Sequence, residues 1–148
     1  MEVADGVETG RVLEGISPKR LGEIAEAAFL WKAERLGFSV AKPWGDSEKY
    51  DYIVDSGQRL WRVQLKSTAA LHGRGCEVQP VYSVYGEGKA AYRPDEIDVL
   101  AAYIFPKDTW YLIPIEDFAP AKNLRFYPDI SCRHARWEIY REAWRVFR

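Results

Sequence analysis

The sequence predicts an α/β fold in which a central mixed β-sheet is flanked by helices. Two observations support this prediction. Apolar residues recur at helical spacing near both ends of the chain, and the segments between them have the composition and turn signals of strands. The order of helix, several strands and helix lacks the regular alternation that builds a wholly parallel sheet. The 148 residues, 47% of them hydrophobic, suffice for one domain whose core needs no disulfide.

The N-terminal helix has clear start and stop signals. Ser17 suits the N-cap and Pro18 the first turn, whereas Gly37 suits the position just after the helix. Residues 1–16 show no sustained periodicity and contain three glycines. They are therefore predicted to form a flexible or edge arm that precedes a single domain of residues 17–148. The apolar face of the helix is predicted to consist of Leu21, Ile24, Ala25, Ala28 and Leu36.

Strands are predicted through the middle of the chain. Residues 38–42 form a short strand, and residues 50–68 form two strands joined by a tight turn at residues 56–58. Residues 75–88 give a further strand and turn. Residues 99–115 give a hairpin across the sequence Pro-Lys-Asp. These strands are expected to form the central sheet.

The C-terminal segment is predicted to close the chain as an amphipathic helix over residues 133–148. Aromatic residues recur there at near-helical spacing, namely Trp137, Tyr140, Trp144 and Phe147. Residues 122–148 hold seven Lys or Arg and three Asp or Glu, a net charge of +4. This charge is interpreted either as a phosphate-contacting face or as the ordinary solvated side of an amphipathic helix.

Charge and cysteine content limit the classes of function. The chain holds 21 Lys plus Arg and 22 Asp plus Glu, a net charge of −1, so any DNA affinity must come from local patches. Cys76 and Cys132 have no metal-ligand spacing, which favours free thiols in a reducing cytoplasm. No apolar run approaches the ~20 residues that a membrane span needs, so no membrane association is expected. His72 and His134 stand alone and are interpreted as surface residues.

Polar residues interrupt the strand predicted over residues 60–68. Because side chains alternate between the faces of a strand, Arg62, Gln64 and Lys66 share one face. A desolvated ammonium group without a partner is costly, so Lys66 implies a nearby carboxylate or an open cleft. Asp51 is the obvious candidate because the tight turn places the start of its strand beside the end of the next. Whether these side chains meet depends on a register that one residue would change.

The N-terminal helix can supply a second carboxylate. Glu23 and Glu26 lie outside the centre of its apolar face, and either can reach the same end of the sheet. Carboxylate and amide oxygens suit Mg²⁺, and a neighbouring ammonium can orient an attacking water or stabilise charge on a phosphate. The alternative interpretation is a structural ion pair between Asp51 and Lys66, with the glutamates solvated on the helix surface.

Three motifs in this order resemble the PD-(D/E)XK nuclease superfamily: the G-x-x-A-E pattern of residues 22–26, the Asp of YDYIV, and the strand VQLKS. The resemblance runs from about residue 18 to about residue 118. It is specifically similar to the small endonuclease branch related to group I intron homing endonucleases, because residues 96–118 resemble the hairpin of that branch. The resemblance implies a restriction-endonuclease-like fold.

The resemblance also implies a role for each motif residue. Glu26 and Asp51 are the expected metal-binding carboxylates, and Lys66 is the motif lysine that positions the attacking water. Gln64 occupies the place of the usual Asp or Glu of the motif. A glutamine at this place is similar to what the intron-endonuclease branch shows. Its amide can lend an oxygen atom to a cation but no charge, so weaker metal binding is expected. The expected cofactor is Mg²⁺, with Mn²⁺ as a substitute.

The implied activity is metal-dependent hydrolysis of phosphodiester bonds by a DNA endonuclease. The alternatives are a non-catalytic nucleic-acid-binding module with a decayed site, and a Holliday-junction-resolvase-like nuclease. Arg74, Lys89 and Arg93, around the strand that follows the motif lysine, are the predicted DNA contacts. A nuclease that cuts both strands usually needs two active sites, which makes a homodimer or a higher homo-oligomer a candidate assembly.

Overall fold

The computed structural model describes residues 13–71 and 73–148. Residues 1–12, which hold most of the predicted N-terminal arm, and His72 lie outside the described residues. The helices and strands are, in chain order, α1 (Pro18–Arg35), β1 (Ser39–Ala41), β2 (Tyr52–Asp55), β3 (Leu60–Thr68), β4 (Cys76–Val78), β5 (Val81–Val84), β6 (Gly88–Ala91), β7 (Val99–Ile104), β8 (Thr109–Pro114), α2 (Ile115–Phe118) and β9 (Leu124–Phe126).

A five-stranded mixed sheet forms the centre of the fold, in the order β1-β2-β3-β7-β8. β3 and β7 pair in parallel, with Val63 opposite Val99, and the other neighbours pair antiparallel. The predicted α/β fold is therefore confirmed. So are the short strand β1, the β2–β3 pair with its tight turn and the β7–β8 hairpin.

Two small two-stranded sheets lie outside the central sheet. Three of their strands come from the connection between β3 and β7, and the fourth, β9, follows α2. β4 pairs with β9, and β5 and β6 form a hairpin. The single strand predicted within residues 75–88 is thus two strands with different partners. Pro80 separates them because its nitrogen has no hydrogen to donate to a sheet.

Helix α1 packs on one face of the central sheet. Ser17 caps it by accepting a hydrogen bond from the Arg20 backbone N–H (3.2 Å), and Gly37 follows its end at a φ of 87°. The helix buries Ala25, Phe29 and Ala33 against β3 residues that include Val63 and Leu65, and also against β7 and β8. Leu36, which the sequence placed on the apolar face, is exposed because it is the C-cap residue beyond the last turn.

The opposite face of the sheet packs against the two-stranded β4–β9 sheet, α2 and part of the C-terminal segment. Leu100, Ala102 and Ile104 of β7 lie in this second core, whereas Val99, Ala101 and Tyr103 lie in the first. Because β7 is covered on both sides, all six of its residues are buried.

The predicted C-terminal helix is wrong. Residues 133–148 contain only two short 3-10 helices, Glu138–Tyr140 and Trp144–Phe147. Glu142 lies between them at a φ of 50°, and its N–H donates to the Trp110 carbonyl of edge strand β8 (2.7 Å). The aromatic residues that recur at helical spacing divide between the cores: Trp137 packs in the second core, and Trp144 and Phe147 in the first.

Other sequence predictions concern single side chains and membrane segments. Cys76 and Cys132 are free thiols, as expected, and His134 is exposed. Neither helix in residues 13–71 and 73–148 has the length and apolar content required to cross a bilayer.

Candidate active site

One small pocket contains all four residues that the sequence assigned to a catalytic site. Glu26, Asp51, Gln64 and Lys66 line a cavity of about 130 Å³ at one end of the central sheet. Glu26 comes from α1, Asp51 from the residue before β2, and the other two from β3. Glu23, the other helix carboxylate that the sequence left open, is exposed and does not line the pocket. The remaining lining residues are Gly22, Ala25, Leu65 and Ser67.

Asp51 is held by the backbone of β3. Its N–H donates to the Val63 carbonyl (2.8 Å), and its Oδ2 accepts a hydrogen bond from the Leu65 N–H (2.8 Å). Just before β2 begins, the Asp51 carboxylate therefore accepts the hydrogen bond from β3 that a backbone carbonyl of a neighbouring strand would otherwise accept. Among the described residues, no hydrogen bond engages Oδ1 of Asp51, which leaves this oxygen available to a ligand.

Gln64 is only 9% exposed, although it is polar and lies in the middle of β3. Its side-chain Nε2 donates to the Leu65 carbonyl oxygen (3.2 Å). The amide therefore holds its nitrogen against the backbone, which leaves Oε1 as the atom able to accept a cation or a proton.

Lys66 has a backbone partner and not a carboxylate partner. Its Nζ donates to the Val81 carbonyl oxygen at the start of β5 (3.0 Å), and it lies 5.9 Å from the centre of the Tyr92 ring. Within residues 13–71 and 73–148, no salt bridge joins Lys66 to Asp51 or to another acid. The expected neighbouring carboxylate is present, but the alternative of a structural ion pair between Asp51 and Lys66 is not what forms.

Burial shifts the pKa values of the three ionisable groups toward their neutral forms. It raises the pKa of Asp51, although the Leu65 N–H and the Lys66 charge oppose the rise. Burial and the Asp51 charge raise the pKa of Glu26. Burial lowers the pKa of Lys66, with Asp51 opposing the change and Lys89 adding to it. The fold thus perturbs the pKa values of three groups in one pocket, as functional sites often do.

The donor set fits a hard divalent cation. Among the described residues, no group of three His, Cys, Asp or Glu side chains could hold a metal ion. In this pocket, Gln64 stands beside two carboxylates. Mg²⁺ nevertheless binds through one or two carboxylates, keeps several waters and takes further oxygens from substrate phosphates. Glu26, Asp51 and Oε1 of Gln64 meet that requirement. A site for a metal that demands several nitrogen or sulfur ligands is not present in this pocket.

The third polar residue on the same face of β3 has a structural role. The Arg62 backbone N–H and Nε donate to Oδ2 of Asp98 (2.7 and 3.1 Å), and Nη2 donates to Oδ1 (3.0 Å). This bidentate contact joins β3 to the segment before β7. Burial by itself would raise the pKa of Asp98, but the hydrogen bonds and charge of Arg62 outweigh it and lower the pKa.

The predicted DNA contacts lie in three different environments. Arg74 is exposed on a turn after β3. Lys89 is exposed on β6, where its Nζ donates to Oγ of Ser83 (2.7 Å), and its charge affects Lys66. Arg93 instead makes two hydrogen bonds of 3.0 Å to the Asp95 carboxylate, which compensates much of its charge. Of these three residues, Lys89 is the one whose charge contributes to lowering the pKa of a pocket residue, Lys66.

Lys42 is a pocket neighbour that the sequence interpretation missed. Its positive charge opposes the rise in pKa that burial causes at both Glu26 and Asp51. The antiparallel pairing of β1 with β2, in which Ala41 lies opposite Ile53, places the residue after β1 opposite the first residue of β2, next to Asp51. Hairpin geometry around residues 38–55 was the signal that could have found it.

Three larger cavities lack the same chemistry. One of about 360 Å³, near Arg136 and Trp137, has no acidic residue in its lining. A second, of about 430 Å³, contains Asp129 and Glu138, but both carboxylates already contact Arg141 (3.0 and 3.1 Å). A third, of about 300 Å³, has no lysine in its lining. Of these four cavities, the smallest is the one that combines available carboxylates with a lysine.

Known proteins resemble this chain over most of its length. A family model described as PD-(D/E)XK endonuclease matches residues 16–147. The solved structure of a bacterial homing endonuclease, I-Ssp6803I, is 28% identical in sequence and has a TM-score of 0.73. The match covers 88% of this chain and 90% of that one. No curated protein matches the chain. The structural match confirms the predicted restriction-endonuclease-like fold.

Proposed function

This chain belongs to the PD-(D/E)XK endonuclease family, and on that basis we propose that it is a metal-dependent DNA endonuclease that hydrolyses phosphodiester bonds. The observation that carries the proposal is the convergence of Glu26, Asp51, Gln64 and Lys66 on one pocket. The likeness to a bacterial homing endonuclease supports DNA as the substrate.

Glu26, Asp51 and Gln64 are the residues that would hold a divalent cation. Mg²⁺ is the expected ion and Mn²⁺ the substitute, because both take oxygen ligands. When bound, the ion supplies positive charge that polarises the phosphodiester and lowers the pKa of a coordinated water. Both carboxylates are available to a cation, since no salt bridge among the described residues satisfies them.

Lys66 acts on the reacting groups and not on the metal. Val81 fixes its Nζ through one hydrogen bond, which leaves other N–H groups to face the pocket. We assign it to orienting the attacking water and to stabilising the charge that develops on the phosphate oxygens. As the water oxygen bonds to phosphorus, the water gives up one proton to the solvent and the bond from phosphorus to the leaving oxygen breaks. The leaving oxygen takes up one proton from the solvent, which balances the step.

One observation favours a second candidate, a nucleic-acid-binding module without catalytic activity. The pocket holds two carboxylates where a fully acidic motif would hold three, because position 64 is Gln. A site that had lost metal affinity would have this composition. A cleavage assay distinguishes the two candidates, because only the nuclease hydrolyses the DNA that it binds.

Incubation of the purified protein with supercoiled plasmid in Mg²⁺, Mn²⁺ or EDTA tests the proposal. We expect nicked or linear product with either metal and none in EDTA. Glu26→Gln should abolish the product, and Glu23→Gln is the matched control because it removes an exposed carboxylate from the same helix. A folded wild type that binds plasmid but leaves it intact with both metals would favour the binding module. A four-way junction tested in parallel would identify a resolvase-like preference.

A further inference from the structure

The cavity of about 360 Å³ beside β9 offers hydrogen-bond donors and no carboxylate. We call it the basic cavity, after the lining residues Asn123, Arg125, His134 and Arg136. All four are exposed, and the two arginines keep their charge at any physiological pH. Guanidinium, imidazole and amide groups all donate hydrogen bonds, so this set suits an anion with several acceptor oxygens.

Strand β9 supplies one wall of the basic cavity. Alternation along the strand places Asn123, Arg125 and Tyr127 on one face, while the buried residues of β9 point the other way. The Tyr127 ring packs tightly on the backbone just before β4, because a Cβ atom at Gly75 would lie 2.9 Å from Cε1 of the ring. This wall is therefore part of the folded β4–β9 sheet and not of a loop.

Arg136 forms the opposite wall and is held in a fixed orientation. Its Cζ lies 4.5 Å from the centre of the Trp137 ring, and Trp137 is only 6% exposed in the second core. Among the described residues, no salt bridge or side-chain hydrogen bond engages the Arg136 guanidinium. A guanidinium that lies flat on an aromatic ring keeps its N–H edges available, and these edges match a phosphate in bidentate geometry.

Arg125 carries less of the argument than Arg136 does. Glu77 of β4 lies opposite Arg125 in the β4–β9 ladder, so a carboxylate is a cross-strand neighbour of this arginine. Arg125 also lies near an aromatic ring, with its Cζ 5.7 Å from the centre of Tyr127. Arg136 is therefore the residue on which a test of the basic cavity should act.

A series of contacts links the basic cavity to the catalytic pocket through the β5–β6 hairpin. Lys122, which precedes β9, donates from Nζ to the carbonyl oxygen of Lys89 in β6 (3.3 Å). β6 pairs with β5, and the Val81 carbonyl of β5 accepts the hydrogen bond from Lys66 (3.0 Å). Followed along these strands, Lys66 and Lys122 are at most roughly 25 Å apart. One helical turn of DNA is ~34 Å long, so a single duplex is long enough to contact both.

The charge of the C-terminal segment favours a phosphate as the anion. Residues 122–148 have a net charge of +4, and the amphipathic helix that offered another reason for this charge does not form. Arg141 of this segment is paired with Asp129 and Glu138, whereas Arg136 faces the basic cavity. DNA presents phosphates along its whole length, and arginine is the residue best suited to bind them.

We propose that the basic cavity binds a phosphate of the DNA backbone outside the catalytic pocket, with Arg136 as its bidentate partner and Asn123 and His134 as further donors. DNA as the source of the phosphate rests on the proposed function, whereas the capacity to bind phosphate does not. Contacts of this kind fix the position of a duplex and carry no sequence information, so the basic cavity should act equally on any sequence.

Fluorescence anisotropy with a labelled duplex in EDTA tests the inference, because binding is then measured without cleavage. Arg136→Gln should weaken binding by about 10-fold or more, as loss of a hydrogen bond to a charged group does. It should also reduce the slope of log affinity against log salt by about one, for two unrelated duplex sequences alike. Arg136→Lys keeps the charge but not the bidentate geometry, so it should retain the salt slope and lose only part of the affinity.

A matched variant and a second ligand act as controls. Arg145→Gln removes another exposed arginine of the C-terminal segment, whose Nη2 donates to the Ile139 carbonyl (2.8 Å) and which does not line the basic cavity. It should bind as the wild type does. Inorganic phosphate added to the wild type should shift the Arg136 Nε–H signal in an NMR spectrum, which is assigned by its absence in Arg136→Gln.

The outcomes distinguish this inference from the nuclease proposal. Wild-type affinity and salt slope in Arg136→Gln would overturn the inference even if the wild type cuts plasmid. An equal loss in Arg145→Gln would overturn it too, because the effect would then be one of net charge. An NMR shift with inorganic phosphate but no change in DNA binding would overturn DNA as the source and identify free phosphate as the ligand. Weaker duplex binding by Arg136→Gln, together with a wild type that never cleaves, would support the basic cavity and refute the nuclease. A wild type that binds no duplex would overturn both.

Discussion

Replacing Asp51 by asparagine and by alanine separates its structural contact from its chemistry. Oδ2 of Asp51 accepts the Leu65 N–H at 2.8 Å, and Leu65 is only 8% exposed. Asparagine keeps an oxygen that can accept this bond, whereas alanine leaves a buried N–H without it. An unsatisfied buried donor costs about 1–3 kcal/mol. We therefore expect Asp51→Ala to melt about 2–12 °C below Asp51→Asn, given the usual relation for a chain of this size.

The pH dependence of stability, compared between the wild type and Asp51→Asn, tests the effect of burial on the Asp51 carboxylate. Because burial raises the pKa of Asp51, the folded protein holds the proton more tightly than the unfolded chain does, and ionisation lowers stability. This loss begins as the pH rises through the unfolded value near ~3.9 and is complete above the raised folded pKa. Asparagine does not titrate. Asp51→Asn should therefore gain stability relative to the wild type across that window and then reach a plateau.

Thermal unfolding by circular dichroism from about pH 4 to about pH 8, beside plasmid cleavage, measures both effects. Both variants should lose metal-dependent cleavage. Equal melting temperatures for the two variants would show that the Leu65 contact contributes nothing. An asparagine variant less stable than the wild type at neutral pH would refute the electrostatic reasoning, and plasmid cleavage by a folded Asp51→Ala protein would remove this residue from the site.

Three further predictions follow from other contacts. Gln64→Glu places a negative charge next to a bound cation, an interaction worth of the order of a few kcal/mol, so calorimetry should show tighter Mg²⁺ binding. In EDTA the same variant should melt at a lower temperature, because the buried carboxylate then has no cation beside it. Unchanged Mg²⁺ affinity at a lower melting temperature would contradict a metal role for Gln64. Lys66→Met should lose most cleavage yet keep Mg²⁺ binding, and calorimetric loss of binding would count against that division. Asp98→Asn should cost about 1–3 kcal/mol by weakening the partly exposed pair with Arg62. Since the pKa of Asp98 is lowered in the folded protein, the stability difference between the wild type and Asp98→Asn should shrink as the pH falls through the pKa of Asp98. The variant should still cleave plasmid.

Local rules predicted the part of the site that depends on neighbouring strands. A short turn joins β2 to β3, so turn length could bring Asp51 to the same end of the sheet as Gln64 and Lys66, although it left the exact register open. Alternation along β3 likewise predicted that Gln64 and Lys66 share one face of the strand, and both line the pocket. The motif spacing favoured Glu26 over Glu23, and Glu26 lines the pocket.

Contacts between distant segments were not predictable in the same way. The carbonyl that binds Lys66 belongs to β5, whose position depends on a separate hairpin and not on strand spacing. The C-terminal aromatic residues repeat at helical spacing, yet hydrogen bonding of Glu142 to the edge strand β8 prevents a continuous helix. Tertiary contacts here override a pattern that local propensity favours.

The central claim is that the pocket of Glu26 and Asp51 cuts DNA with the help of a divalent cation. Plasmid cleavage by the wild type and by a Glu26→Gln, Asp51→Asn double variant, each in Mg²⁺ and in EDTA, tests it most directly. The account predicts cleavage by the wild type in Mg²⁺ alone and a rate lower by about 100-fold or more in a double variant that melts cooperatively. Equal cleavage by the folded double variant, or wild-type cleavage that persists in EDTA, would contradict it.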